Sequence, residues 1–391
     1  MLNVAFEESE KLKEFLIESL KPQELTLCGQ LITGLEVVDE IYFLAIINEK
    51  ELQEFVLEFG GNENFSQLNL EENKIIGTLL SGLNFVIEAV SEENLGSKIL
   101  EKNSTEDFLK ELHFSQEESF RTEEEVFQVK KIKYIFPEVR HFGVEKGSKV
   151  SENLVQEKEI LGVFHNHTTW SDGSASLEEM AKEAQNLGYS YIGISDHSKT
   201  AFYANGLTES RIAEQHAEID KLNEEMENFK IFKGIESDIL NDGSLDYDDS
   251  ILENFDFVIA SVHSNFKMSE EEMTKRLIKA IENPYTTMLG HLTGRLLLAR
   301  PEYKLNMQKI IDACSQNDVC IELNASPHRL DLDWRLMQSA FEKGVKISIN
   351  PDAHSLTGLQ DVKYGIKVAR RGGAQRENVL NTKNFETVLE K

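Results

Sequence analysis

The sequence predicts an α/β protein: a distorted, TIM-like (β/α)7 barrel over residues 160–391, preceded by a smaller α+β domain over residues 1–142. Three observations carry that reading. From about residue 160, strand-like apolar runs alternate with helical ones, the mark of parallel βα units. Seven such strands can be drawn, at 160–167, 190–196, 230–238, 255–263, 287–292, 318–325 and 345–351, where an ordinary barrel of this kind has eight. Residues 143–159 lack an apolar period and read as a linker, which puts the boundary near 150.

In the first part, Leu12, Phe15, Leu16 and Leu20 form one helical stripe, followed by strand candidates at 24–33, 40–47 and 84–90. In the second part the helices between strands have readable ends. Ser176 with Glu179 and Ser269 with Glu272 are capping-box pairs, and Gly188 and Gly344 stand where a left-handed residue closes a helix. No internal repeat and no low-complexity tract interrupts this order.

Composition narrows the classes of function. No apolar run approaches the roughly 20 residues of a membrane span, and Met1 to Leu20 is too charged for a secretory signal, so no membrane role and a cytoplasmic address are expected. Cys28, Cys314 and Cys320 are too few, and too apolar in context, for a disulfide framework. A formal charge of −28 argues against global attraction to nucleic acid, because phosphate-backbone affinity rests on Lys and Arg. Any DNA contact must be local, within the reach of about 8 Å that physiological salt leaves to a charge.

The chemistry is concentrated where the predicted strands end. His165 and His167 stand in Val163-Phe164-His165-Asn166-His167, Asp172 in Ser171-Asp172-Gly173, and His197 in Ile194-Ser195-Asp196-His197. Glu236 follows in Gly234-Ile235-Glu236, His263 in Ser261-Val262-His263, His291 in Leu289-Gly290-His291, and Asp352 and His354 in Pro351-Asp352-Ala353-His354. Side chains two apart on a strand share a side, so His165 with His167, and Asp352 with His354, can each offer two donors to one ion. The C-terminal ends of barrel strands are also the rim on which barrel enzymes build their sites. A lone histidine on an apolar strand is usually a core residue, but a packing role does not explain this many at successive strand ends. Imidazole and carboxylate donors without thiolate suit Zn²⁺, Mn²⁺ or Fe²⁺, and nine donors are too many for one ion. His113, His141 and His216 follow no such pattern and read as ordinary surface or core residues, whereas His328 in Ser326-Pro327-His328-Arg329 could line the rim.

Taken together these motifs resemble the PHP (polymerase and histidinol phosphatase) domain, most closely that of bacterial family X DNA polymerases. Lys199 to Leu207, Gly290 to Leu298 and Arg329 to Arg335 support the resemblance, which covers roughly 160–391. It implies a distorted (β/α)7 barrel with three divalent ions. By motif, His165, His167, Glu236 and Asp352 would hold one, Glu236, His263 and His291 a second, and Asp172, His197 and His354 a third, with Glu236 bridging. It further implies phosphoester hydrolysis in which Glu236, Asp352 and His354 are catalytic through the ions and no separate protein base is required. Lys199, Arg295 and Arg329 follow ligand-bearing strands or their neighbours and are candidates for binding substrate phosphate.

The N-terminal part is similar to the nucleotidyltransferase-like palm of the same polymerases, with its chemistry lost. Cys28-Gly29-Gln30-Leu31-Ile32-Thr33-Gly34 keeps the spacing of their Gly-Ser phosphate motif, yet Gln30 replaces the Ser, and Ile32 and Thr33 the Arg positions. The paired aspartates fall on Glu40 and Tyr42 and the third on Val86, while Glu101 to Thr105 replaces the nucleotide-contacting stretch. Two-ion nucleotidyl transfer needs converging carboxylates, so an inactive palm is expected. The resulting expectation is a 3′→5′ exonuclease or 3′-end-processing enzyme of DNA repair. A phosphomonoesterase of the histidinol-phosphatase kind and a non-catalytic scaffold are the alternatives. DNA 3′ ends or small phosphate esters are the expected substrates, and the sequence names no protein partner.

Overall fold

The computed structural model describes residues 1–390, which form two compact units, residues 1–153 and 154–390. The first is built on a five-stranded sheet of order β1-β2-β5-β4-β3, with β1 Leu25–Cys28, β2 Glu40–Ala45, β3 Phe65–Glu71, β4 Lys74–Leu79 and β5 Asn84–Ala89. Only β2 and β5 run parallel. The helix Leu2–Ser19 buries Leu12 and Leu16, and Phe15 meets Phe55, Phe59 and Phe65 edge-on at 5.2–6.1 Å.

Three expectations for this unit need correction. The strand drawn at 24–33 stops at Cys28, where Gly29 takes φ +76° and a short helix, Gln30–Thr33, begins. The hairpin β3–β4 adds two strands to those expected: Leu68 and Leu70 alternate with exposed Gln67, Asn69 and Glu71 on β3, and β4 alternates between buried and half-buried residues, but no residue of β3 is fully buried, which leaves its pattern weak. The stretch 143–159 is no simple linker. It holds a helix, Val144–Ser151, that turns inward only Gly147 and Val150, too few residues to leave an apolar period.

The second unit is a sheet of seven parallel strands: β6 Gly162–Val163, β7 Tyr191–Ile194, β8 Lys230–Asp238, β9 Phe257–Ser261, β10 Met288–Leu289, β11 Cys320–Asn324 and β12 Ile347–Asn350. Each is followed by a helix, Leu177–Asn186, Glu209–Glu225, Asp249–Leu252, Glu270–Ile281, Met307–Asn317, Trp334–Glu342 and Val362–Arg371 in turn. The strands stand in sequence order, and a parallel bridge between Asn166 and Ala353, just past β6 and β12, joins the two ends. This is a nearly closed (β/α)7 barrel. Both foreseen capping boxes form, and Gly188 and Gly344 are left-handed at φ +90° and +77°.

Aromatic packing fixes the interior. Phe164, Tyr191, Phe232 and Phe257 are buried together, with Phe164 and Phe257 T-shaped at 5.0 Å. Phe257 fits because its neighbours on β7 and β8 are glycines: a Cβ on Gly193 or Gly234 would lie 2.6 or 2.1 Å from its ring. The period of two then carries Phe232, Gly234 and Glu236 along one face of β8, and Cys320, Glu322 and Asn324 along one face of β11. The packing that fills the barrel thus delivers polar side chains to its rim. All three cysteines are buried and unpaired, as expected of core residues, and no helix among the described residues is long and apolar enough to cross a membrane.

Candidate metal centre

The nine donors named from sequence converge at the C-terminal rim of the barrel. Glu236, 1% exposed, is the hub. Its Oε1 lies 2.9 Å from His291 Nε2, 3.2 Å from His263 Nε2 and 3.3 Å from His165 Nε2. Its Oε2 lies 2.9 Å from His197 Nδ1 and 3.6 Å from His167 Nε2. Asp352 Oδ1 sits 3.4 and 3.3 Å from the Nε2 atoms of His165 and His167 and 3.7 Å from His354 Nδ1. Asp172 closes the far side, 3.5 Å from His354 Nε2 and 3.7 Å from His197 Nε2.

Apart from the two 2.9 Å contacts of Glu236, one of them a hydrogen bond with His291 Nε2, these spacings of 3.2–3.7 Å suit donors that share an ion. Two donors each about 2.1 Å from one tetrahedral ion stand about 3.4 Å apart. His165 Nε2, both ring nitrogens of His167, His197 Nδ1 and His291 Nδ1 are buried with no protein hydrogen-bond partner, a state that polar atoms seldom keep without a ligand. Four groups of three or four donors could each hold an ion: His167, Asp172, His197 and His354; His165, His167 and Asp352; His165, Glu236 and His291; and His197, Glu236 and His263. His165, His167, His197 and Glu236 each belong to two groups, so the groups form one continuous cluster.

Charge in the cluster follows from its carboxylates. Burial works against a proton on His165, but Glu322, Asp352 and Glu236 together hold its imidazolium well above the ordinary range. His263 is likewise raised to about 10, where burial is overcome by Glu236 and Asp238. His354 rises to about 9, against its burial, through Asp172 and Asp352. His167 goes the other way, down to about 3, because it is buried and faces His197 and His354. Glu236 and Asp352 stay well below the usual carboxylate range despite burial, held there by the histidines. Strain marks two of the candidates. His291 at φ +25° and Asp352 at φ +54° occupy backbone that side chains rarely adopt, and such strain collects at functional sites.

Comparison with known proteins gives the family. The PHP domain family model matches residues 164–326. A probable phosphatase of Thermoanaerobacter sp. (strain X514) is 31% identical over 229 residues, covering 56% of this chain and 89% of that protein. The chain belongs to the PHP domain family. It is also 42% identical over 271 residues to the DNA polymerase/3′-5′ exonuclease PolX of Bacillus subtilis (strain 168), covering 69% of this chain and 48% of that one. The chain therefore spans about half the length of this relative. A solved histidinol phosphate phosphatase from Lactococcus lactis, complexed with zinc, L-histidinol and phosphate, is 19% identical over 53% of this chain and 93% of its own, with a TM-score of 0.42.

Around its donors this PHP domain has a supporting layer that the motifs did not name. Glu322, fully buried, takes His165 Nδ1 at 2.6 Å and the His291 N–H at 2.7 Å, and Asn350 and Asn324 donate to it at 3.1 and 3.2 Å. Asp238 meets His263 Nδ1 at 2.5 Å. Both contacts set an imidazole so that its Nε2 faces the cluster, as the carboxylates behind metal-bound histidines do. Asp196 accepts from Thr168, Ser171 and Gln215, fixing the turn that carries Asp172. Sequence gave a signal for each: an acid within apolar Ile321-Glu322-Leu323, one immediately before His197, and one two positions after Glu236.

Of the phosphate candidates, only Arg329 meets the donors, with its Nε 3.5 Å from Asp352 Oδ2. Arg295 serves the loop instead. Its guanidinium donates to the carbonyls of Arg329 and Leu330 and to Asp333 at 2.7 Å. Lys199 pairs with Glu209 at 2.8 Å. Proximity in sequence to a ligand-bearing strand does not tell which way a long side chain points. His328 is exposed on its loop.

Proposed function

We propose that this chain is a metal-dependent phosphoesterase that removes nucleotides from, or processes, DNA 3′ ends. The carrying observation is Glu236, a buried carboxylate whose two oxygens face five histidines at 2.9–3.6 Å. Three divalent ions, of manganese, zinc or iron, would be held by His165, His167, Glu236 and Asp352; by Glu236, His263 and His291; and by Asp172, His197 and His354. When bound, such ions neutralise charge on the phosphoryl oxygens and acidify the attacking water. Glu236 offers one oxygen to each side of the cluster, so it spaces the donors as well as binding. Glu322 and Asp238 hold the Nδ1 protons of His165 and His263 and thereby fix which nitrogen is free. Arg329, beside Asp352, is placed to take a substrate phosphate oxygen, a stronger contact when bidentate. Lys199 and Arg295 are not proposed for that role, since both are engaged elsewhere.

The DNA reading is supported by the similarity to a PolX polymerase and exonuclease. The N-terminal unit is read as a degenerate palm. Tyr42 and Val86 are cross-strand partners on β2 and β5, Glu40 is the one of the three positions that still carries an acid, and Glu88 on the same face is taken up by the Tyr42 hydroxyl and by Lys74 and Lys102 at 3.5 and 3.4 Å. A second reading, a phosphatase acting on small phosphate esters, is favoured by the relatives named as probable phosphatases and by the charge of −28. Turnover of a 3′-recessed oligonucleotide and of small phosphomonoesters, with and without EDTA, separates them. Cleavage of the oligonucleotide that stops in EDTA and returns with Mn²⁺ or Zn²⁺ is expected. Activity confined to the small esters would overturn the DNA reading, and activity that survives chelation would overturn both.

A further inference from the structure

Two aromatic side chains at the rim are used by neither the core nor the cluster. Phe202 and Tyr203 are 85% and 74% exposed, although they are consecutive and the residues around them, Ala201, Ala204 and Leu207, are buried. The turn that displays them, Phe202–Ala204, is firmly held. Arg211 donates to the carbonyls of Trp170, of Asn205 at 2.8 Å and of Gly206 at 3.3 Å. Leu207 bonds back to the His197 carbonyl at 2.8 Å, and its own carbonyl accepts from Tyr247 at 2.5 Å. Gly206 passes so close to Ser198 that a Cβ would lie 1.9 Å from its carbonyl oxygen. A rigid turn that keeps two adjacent rings in water points to a ligand for those rings.

The position of Tyr203 says what kind. Its ring lies 6.2 Å from that of His197, inclined at 60°. It also lines a cavity of about 450 Å³ together with Thr200, Asp238, Leu240 and His263. Asp238 orients His263, so the ring stands at the edge of the candidate metal cluster, within reach of a group attached to a phosphate held there. Aromatic rings there favour a planar partner, because stacking needs a flat π-face and accepts any base.

We propose that Tyr203, with Phe202 beside it, stacks the nucleobase adjacent to the phosphate that is cleaved. This rests on the reading of the chain as a phosphoesterase acting on DNA 3′ ends. The test compares two 3′-recessed oligonucleotides, identical except that one ends in a normal nucleotide and the other in an abasic tetrahydrofuran residue. Both present the same phosphate to the cluster. The wild-type chain is expected to prefer the base-bearing end by about tenfold in kcat/KM, in the range that stacking on an aromatic side chain provides. Phe202→Ala/Tyr203→Ala brings that ratio close to one, whereas Tyr203→Phe, which keeps the ring, retains it. A double variant with the full preference, or a wild-type chain with none, overturns the stacking assignment while leaving phosphoester hydrolysis in place. A wild-type chain that cleaves neither oligonucleotide overturns the DNA reading and the stacking together.

Discussion

Glu236 shows how much one buried side chain can decide, since an acid 1% exposed is stable only among partners and here those partners are imidazoles. His263→Ala or Asp352→Ala is expected to lower hydrolysis at least 100-fold while leaving the circular dichroism spectrum unchanged, which a paired activity and spectral measurement checks. Glu322→Gln keeps the shape but removes the charge behind His165, so metal affinity should fall about 10–100-fold in a chelator competition. The raised histidines give a pH dependence with a definite sign. Burial disfavours charge on His263 and His354, yet neighbouring carboxylates raise them to about 10 and 9, so both carry protons at neutral pH. A divalent ion must displace those protons. Metal binding should therefore release protons and tighten as pH rises toward 9–10, which titration calorimetry in buffers of different ionisation enthalpy reads directly. In the metal-free protein the same two groups contribute stability that is complete below about pH 6.5 and is lost as pH rises through 9–10.

At the scale of elements, the barrel depends on pairs of unequal size facing one another. Gly193 and Gly234 leave room for Phe257, and Gly290 leaves room for Ser261 and Ile259, with a Cβ at Gly290 only 2.3 Å from Ser261 Oγ. Gly234→Ala is expected to destabilise the second unit by about 1–3 kcal/mol, as overpacking does, and urea denaturation followed by far-ultraviolet circular dichroism would show it. The parallel strands are legible because six of the seven are apolar runs closed by a candidate donor, β11 being the exception, and the expected bounds of β8 coincide with the observed ones, Lys230 and Asp238. Strand ends were less legible elsewhere. β6 and β10 have only two residues each, since the chain leaves the ladder early to carry His165 and His291 onto the rim. The β3–β4 hairpin is less legible for a different reason: its alternation is present, with Leu68 and Leu70 between exposed polar residues, but it is short and β3 buries none of its residues fully.

Across the whole chain, the nine candidate donors all lie in the second unit, whereas in the first Tyr42 and Val86 stand at two of the three positions where the similarity to a polymerase palm asks for carboxylates, and only Glu40 supplies one. No nucleotide incorporation is expected on a primed template with Mg²⁺ or Mn²⁺, and extension of the primer would contradict the degenerate-palm reading. Chelation should also lower the melting temperature, because ions that bind only the folded barrel add stability of about 2.7 kcal/mol at a hundredfold excess over their Kd. By itself the sequence determined the class of the fold, the order of the barrel strands and all nine candidate donors. Those are properties of local pattern: apolar period, cap residues, and polar residues at the ends of apolar runs. Tertiary structure alone decided that Glu322 and Asp238 stand behind His165 and His263, that Arg329 rather than Arg295 or Lys199 meets the donors, and that Tyr203 overlooks them. Those choices turn on which way a side chain points once distant strands have closed into a barrel, and no spacing along the chain encodes that direction.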